Sequence, residues 1–174
     1  MMRLLRLTVV LVLALLSFSE QSCGIYSFTG GRKFDDSVTV SVATFTNTAS
    51  LAKPTVPQTV SEALRDAIQR QTRLNFVSGN ADLDFSGEIT GYSVAPVALQ
   101  GGGATDQAQL NRLTITVSVN YVDKIEEQYS FESSFTRFAD FPAASALSTV
   151  EDALIKEITD QLVQDIMNRS INAW

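Results

Sequence analysis

The strict alternation of apolar and polar residues over positions 112–122 constrains this chain more than any other feature. A period of two is the pattern of a β-strand with one buried face and one open face. The buried set is Leu113, Ile115, Val117, Val119 and Tyr121, and the open set is Arg112, Thr114, Thr116, Ser118 and Asn120. Segments 37–45, 82–92 and 128–138 alternate in a similar way. We therefore predict four strands in one sheet, with one apolar face that other parts of the chain must cover.

Two segments with helical periodicity supply that cover. Apolar residues recur at spacings of three and four over 56–72 and over 148–168, which predicts two amphipathic helices. The order strand, helix, three strands, helix predicts an α+β fold, in which a four-stranded, mostly antiparallel or mixed sheet packs both helices on one face. The first strand–helix–strand unit should place two strands in parallel. Spacings of three residues also predict a capping box at each helix start, formed by Thr55 with Gln58 and by Ser148 with Glu151.

Residues 1–22 have the composition of an export signal rather than of a helix of the fold. Arg3 and Arg6 precede a mostly apolar run over 7–16. That run is about half of the roughly 20 residues that a membrane-spanning helix needs, and polar residues follow it. We therefore predict a signal peptide over 1–22.

The only cysteine of the chain follows directly. Cys23 stands between Ser22 and Gly24, a pattern similar to the lipobox of bacterial lipoproteins. We expect a covalent diacylglycerol and an N-acyl chain at Cys23, because stable membrane attachment needs more than one acyl chain. The predicted mature protein is then a single lipid-anchored periplasmic domain over 23–174. Glu20 replaces the apolar residue usual at its position, and an ordinary signal peptide followed by a free cysteine is the alternative.

The composition excludes several kinds of site. The chain has no histidine and one cysteine, which excludes histidine-based triads, histidine-bound metals and cysteine pairs. A net charge of −6 without a basic stripe argues against nucleic acid as a partner. Paired acids such as Asp82 and Asp84 share the polar side of a predicted strand, where nothing in the sequence indicates the burial that would raise a pKa, as a general acid requires. We expect no catalytic residue, no metal site, and no cofactor beyond the acyl groups.

The open side of the strand over 112–122 is a candidate contact surface. Thr114, Thr116 and Ser118 give it hydroxyl groups, and Arg112 gives it one charge. Such a surface suits docking against another polar wall, such as the lumen of a barrel. A plain solvated face with good β propensity explains the same residues.

Two arginines and one loop are further candidates. Arg112 and Arg137 each carry a guanidinium group, which can bind a phosphate through two hydrogen bonds. Ordinary surface pairs with acids are the alternative for both. The loop over 96–110 contains three consecutive glycines and is long for a hairpin, and long loops more often carry contacts or mobility.

Several stretches together resemble the LptE family, in its branch with a Cys-Gly-x-Tyr-Ser-Phe start. These are residues 23–30 (CGIYSFTG), 111–117 (NRLTITV), 135–141 (FTRFADF), 150–152 (VED) and the terminal Trp174. The resemblance spans nearly the whole mature chain. It implies two helices against one face of a four-stranded sheet, which agrees with the fold predicted from periodicity.

The resemblance also implies a function. LptE-like proteins are non-enzymatic lipoproteins on the periplasmic face of the outer membrane. They plug the large β-barrel LptD, help it assemble, and with it deliver lipopolysaccharide to the outer leaflet. An LptD-like barrel is therefore the expected partner, and lipopolysaccharide is a further candidate ligand. A stand-alone periplasmic lipid carrier or hydrolase is the alternative function.

Overall fold

The computed structural model of the chain describes residues 32–97 and 109–172. The predicted signal peptide, Cys23 and most of the loop over 96–110 lie outside the described residues. The described elements, in chain order, are β1 (Thr39–Val42), β2 (Thr46–Asn47), α1 (Val56–Gln71), β3 (Asn75–Phe76), β4 (Leu83–Val97), β5 (Leu110–Asp123), a 3₁₀-helix (Glu127–Tyr129), β6 (Phe131–Pro142) and α2 (Leu147–Arg169). Neither of the two described α-helices has the length and apolar character needed to cross a membrane.

The strands form one mixed sheet in the order β3-β1-β4-β5-β6, and β2 also pairs with β4. β1 and β4 are parallel, as the strand–helix–strand unit predicts. β2 and β3 are also parallel to their partners, whereas β4, β5 and β6 form an antiparallel meander. The α+β architecture is confirmed, with six described strands in place of the predicted four.

The two additional strands have simple causes. The predicted strand over 37–45 ends early, as β1 at Val42, because the chain turns Phe45 into the core, where it is 3% exposed; β2 follows at Thr46–Asn47, beyond the predicted strand. The Phe45 backbone N–H then donates to Ser61 Oγ at 2.8 Å and not to a strand. β3 has two residues, too few to show a period in the sequence.

Both helices begin and end within about one or two residues of their predicted bounds, but the predicted capping boxes are wrong. Thr55 has helical backbone angles and its side chain caps no N–H group, whereas an N-cap needs extended angles. Gln58 instead donates to Glu62 at 2.8 Å. α2 starts earlier than predicted, with Ala146 as its N-cap. Ser148 therefore lies inside the helix, and Glu151 is free for another contact.

The core lies between one face of the sheet and the two helices. The fully buried strand residues are Val40, Leu83, Phe85, Ile89, Leu113, Ile115, Val117, Val119 and Tyr121. Their helical partners include Val60, Leu64, Ile68, Ile158, Leu162 and Ile166, each without exposed surface. Burial of one such side chain contributes about 1.5–3 kcal/mol. This one-sided core fixes which face of the sheet remains open.

The turn between β5 and β6 is longer than the sequence predicts. Asp123 Oδ1 accepts the backbone N–H groups of Ile125 and Glu126 at 3.0 and 2.8 Å. Because these bonds hold a turn, Tyr129 lies in the 3₁₀-helix and β6 starts at Phe131. β6 extends to Pro142, beyond the predicted end at position 138, because it pairs with β5 as far as Leu110.

Candidate functional site

The sheet face opposite the helices, which we call the open face, is lined mainly by small hydroxyl side chains. Along β5 it presents Thr114, Thr116 and Ser118, the residues that the alternation places there. Their register partners are Phe138, Thr136 and Ser134 on β6 and Ser93, Gly91 and Glu88 on β4. The candidates predicted on β5 therefore lie in the middle of a surface formed by β4, β5 and β6.

A β-bulge allows β4 to keep its core contacts along this surface. The register with β5 shifts between Ile89 and Gly91, so one extra residue separates the core residues Ile89 and Tyr92. The alternation restarts after the bulge, with Tyr92 on the core side and Ser93 on the open side. Without the shift, Tyr92 would be turned away from the helices, since a slip of one residue reverses every side chain.

The centre of the open face is formed by small, closely packed residues. Thr116 and Thr136 share a hydrogen bond between their hydroxyl oxygens at 3.0 Å. A Cβ atom at Gly91 would lie 3.1 Å from both Cβ and Oγ1 of Thr116, which is tighter than an ordinary contact. Glycine therefore lets the Thr116 side chain lie against the backbone of β4, and nothing large rises from the middle of the surface.

Arg112 lies at one side of the open face and is held in place by two neighbours. Its guanidinium group donates to the two carboxylate oxygens of Asp140 at 2.7 and 2.9 Å and lies 3.6 Å from the ring centroid of Phe138. The bonds from Arg112 hold the pKa of the Asp140 carboxyl below its usual value. The Arg112–Asp140 pair therefore carries little net charge, although Arg112 is the one charged candidate of β5 on the open face.

Arg137 lies on the other side of the sheet. Its register partner is the buried Ile115, and its guanidinium group donates to both carboxylate oxygens of Asp165 on α2 at 2.5 and 2.7 Å. This bonding raises the pKa of the Arg137 guanidinium. The structure therefore separates Arg137 from the other four candidates, and it pairs both arginines with acids.

The acidic pair Asp82 and Asp84 is bound by hydroxyl groups. Asp82 Oδ2 accepts the Thr39 hydroxyl at 2.7 Å and the Thr39 backbone N–H at 2.9 Å, which lowers the pKa of its carboxyl. Asp84 accepts the Ser41 hydroxyl and pairs with Lys124 at 3.0 Å. Burial raises the pKa of Asp84, but these contacts outweigh it and the net direction is down. Carboxyls with lowered pKa values stay ionised, which does not suit a general acid.

A second polar cluster lies inside the fold and was not predicted. Glu151 is 8% exposed, accepts the Tyr92 hydroxyl and pairs with Lys53 at 2.9 Å. Burial, followed by the bond to Glu151, raises the pKa of Tyr92 well above its ordinary value. The sequence spacing assigned Glu151 to a capping box, and only its inward orientation shows that it joins α2, β4 and the loop before α1. No group of three or more acidic, histidine or cysteine side chains in the described ranges is placed to bind a metal ion.

Comparison with solved structures agrees with the fold. A hypothetical protein from Chlamydia trachomatis matches with a TM-score of 0.51 and 11% identity, covering 76% of this chain and 95% of that chain. The rare lipoprotein B from Shewanella oneidensis matches with a TM-score of 0.45 and 15% identity over 71% and 90% of the two chains. A minor lipoprotein from Acinetobacter baumannii matches with a TM-score of 0.45 and 13% identity over 72% and 91%. At 11% identity, the likeness to the Chlamydia trachomatis protein shows a shared fold alone.

Comparison by sequence gives the family. No curated protein sequence matches the chain significantly. The family model LptE, described as lipopolysaccharide-assembly, matches residues 37–170, a range that includes every described strand and helix. The chain therefore belongs to the LptE family of lipopolysaccharide-assembly proteins.

Proposed function

We propose that this protein is an outer-membrane lipoprotein, held by acyl chains at Cys23, that plugs an LptD-type β-barrel and helps it assemble and deliver lipopolysaccharide. It performs no catalysis in this role. Membership of the lipopolysaccharide-assembly family supports the process. The barrel as direct partner, the acyl anchor and the outer-membrane location are our proposal.

The observation that carries the proposal is the open face, which neither described helix covers. Its central side chains are hydroxyls, and the charge of Arg112 is already balanced by Asp140 at 2.7 Å. Removing hydroxyl groups from water costs little when the partner offers hydrogen bonds, whereas burial of an unpaired charge is expensive. A surface of this kind suits contact with the polar inner wall of a barrel. We assign the barrel contact to Thr114, Thr116, Ser118 and the Arg112 pair.

The protein would act by occupying space and by binding one arrangement of the barrel more tightly than others. A ligand shifts a conformational equilibrium only by its difference in affinity for the two states. The hydrogen-bonded meander of β4, β5 and β6 would present the wall with one surface, against which one arrangement of the barrel fits better than others. Direct contact of Arg112 or Arg137 with a lipopolysaccharide phosphate is a separate proposal, and it requires the phosphate to displace Asp140 or Asp165.

The test is affinity purification of the tagged full chain from detergent-solubilised outer membranes. We expect one large barrel protein at equal stoichiometry. The variant Thr136→Arg places a long cation at the centre of the open face and should reduce recovery of the barrel by about tenfold or more, since an unpaired buried charge costs several kcal/mol and 1.4 kcal/mol is about tenfold in affinity. The matched control is Gln164→Arg, which adds the same charge on the exposed surface of α2.

Two outcomes would contradict the proposal. Recovery of a clean monomer would favour a stand-alone lipid carrier or hydrolase. Equal loss of the barrel in both variants, or in neither, would mean that the open face is not the contact surface.

A further inference from the structure

The sheet has one long unpaired edge. β6 ends the sheet on one side, and no described strand pairs with its outer side. It has 12 residues, whereas β3 at the opposite edge has two. A strand at an edge presents unpaired N–H and C=O groups, and proteins commonly keep such strands very short for that reason. We call the outer side of β6 the β6 edge.

The register identifies the backbone groups that lie on the β6 edge. In an antiparallel pair, residues that exchange hydrogen bonds alternate with residues that do not. The N–H group of Ala143 donates to the carbonyl oxygen of Gln109 at 2.8 Å, and from there the register runs without a shift to Phe131 opposite Tyr121. The odd-numbered residues of β6 therefore bond to β5. The residues whose N–H and C=O groups point outward are Glu132, Ser134, Thr136, Phe138 and Asp140.

A contact on the other side of β5 agrees with this assignment. The N–H group of Lys124 donates to the carbonyl oxygen of Asp82 at 2.9 Å, so the even-numbered residues of β5 bond to β4. The odd-numbered residues of β5 remain for β6, as the bond between Ala143 and Gln109 requires.

The β6 edge is exposed and has none of the usual protections. All five outward residues are exposed, and none of the turn or loop hydrogen bonds of the described residues involves their backbone groups. Proteins block edges with proline, lysine or a β-bulge. β6 has no lysine, its one proline is its last residue, and its register with β5 has no shift. The charges of Arg137 and Asp140 are each balanced by a partner within the fold, so they do not repel an incoming strand.

Another extended backbone is the ligand that matches such an edge. Its N–H and C=O groups repeat every second residue, and addition of a strand is a common mode of peptide recognition. An added strand would also cover Phe131 and Phe135, which pack against the core and remain partly exposed. These two rings lie on the helix side of β6, whereas Ser134 and Thr136 lie on the open face. The matching segment therefore has apolar residues on one side and polar residues on the other.

The outward residues of β6 also line the open face, so a protein that contacts this face reaches the β6 edge. We propose that an extended segment of the barrel partner pairs with the β6 edge and continues the sheet beside the open face. The strands of a closed barrel are paired on both sides, so this segment lies outside the barrel wall, as a loop folded into the lumen does. A second copy of this chain would double the sheet that the lumen must hold. This inference rests on the proposed function and adds a backbone contact to its side-chain contacts.

Hydrogen exchange of single amides tests the inference, because an N–H group bonded within a sheet exchanges slowly. Mass spectrometry measures exchange in the isolated protein and in its detergent-solubilised complex with the barrel. We expect the N–H groups of Ser134, Thr136 and Phe138 to exchange about tenfold or more slowly in the complex than in the isolated protein. The N–H groups of Phe135 and Arg137, which bond to β5, should exchange slowly in both.

A pair of variants at one position separates the backbone contact from side-chain contacts. Ser134→Pro removes one outward N–H group and leaves the bonds to β5, since proline is tolerated on the open side of an edge strand. Ser134→Ala is the matched control, because it changes the same side chain and keeps the N–H group. We expect Ser134→Pro to reduce recovery of the barrel by about tenfold and Ser134→Ala to reduce it much less. Circular dichroism checks folding, and if Ser134→Pro does not fold, the exchange comparison still decides.

The outcomes distinguish failure of this inference from failure of the proposed function. Recovery of the barrel with unchanged exchange of the outward N–H groups, or equal loss of the barrel in both variants, would overturn the inference alone. Slow exchange of these groups in the isolated protein, with a dimer in light scattering, would assign the edge to a second copy and would also overturn it. Recovery of no barrel would overturn both the inference and the proposed function.

Discussion

Replacement of Arg32 by alanine is the most informative perturbation of this fold. The carboxyl group of Asp123 is fully buried, and Arg32 is the only cation paired with it among the described residues. The same carboxyl accepts the Tyr121 hydroxyl at 3.1 Å and two backbone N–H groups of the β5–β6 turn. Removal of the guanidinium group would leave a buried carboxylate with hydrogen bonds but without a counter-charge.

The expected size follows from that geometry. Loss of one partner from a buried pair typically costs about 3–5 kcal/mol, out of the roughly 5–15 kcal/mol that stabilise a domain. For a chain of this length, about 2–4 °C accompanies each kcal/mol, so Arg32→Ala should lower the melting temperature by about 10 °C. Arg137→Ala is the matched control. It breaks a pair whose side chains are 45% and 27% exposed, and such pairs contribute about 1 kcal/mol or less.

The assay is thermal unfolding of the detergent-solubilised protein, followed by circular dichroism. Asp123→Asn in the Arg32→Ala background should restore part of the lost stability, because a neutral amide needs no counter-charge and its oxygen still accepts the turn N–H groups. The reasoning would be refuted if Arg32→Ala and Arg137→Ala had equal effects. It would also be refuted if the second substitution gave no recovery.

Two further predictions concern the sheet. Gly87→Ala should lower the free energy of unfolding by about 1–3 kcal/mol, because its Cβ would lie 2.5 Å from the Ser118 carbonyl oxygen and 2.9 Å from the Phe45 ring. Urea unfolding measures this loss. A loss no larger than that of Ser86→Ala would contradict the prediction. The Thr39 hydroxyl and N–H hold the pKa of Asp82 below its ordinary value of about 3.9. This stability is therefore complete above about pH 4 and is lost as pH falls through the lower folded pKa. Melting temperatures across acidic pH should show the decline, Asp82→Asn should reduce it, and an identical pH profile in that variant would count against the bond.

The local patterns predicted most of the architecture. The alternation over 112–122 predicted the buried side of β5 correctly from Leu113 to Tyr121, and the helical periods predicted α1 and α2 to within about two residues. These features are predictable because the periods of a strand and of a helix are written in consecutive residues. The two short strands β2 and β3, with two residues each, carry too little pattern to be recognised.

Contacts between distant residues could not be predicted in this way. Arg32 and Asp123 are 91 positions apart, and Tyr92 and Glu151 are 59 apart, so neither pair leaves a local signal. The capping boxes failed because the same spacing of residues occurs whether or not the first residue has the extended angles of an N-cap: Thr55 has helical angles, and Ser148 lies inside the helix. Arg112 and Arg137 were grouped by chemistry, and only the register between β5 and β6 places them on opposite faces.

The amino-acid order alone determined that this protein has a one-sided sheet, two covering helices and a face rich in hydroxyl groups, because those properties depend on neighbours along the chain. Tertiary structure decided which arginines are neutralised, where the β4 bulge resets the register, and that Arg32 pairs with the buried Asp123. Those outcomes depend on which residues distant in sequence come into contact when the core folds, and the local periodicity of the sequence does not encode such contacts.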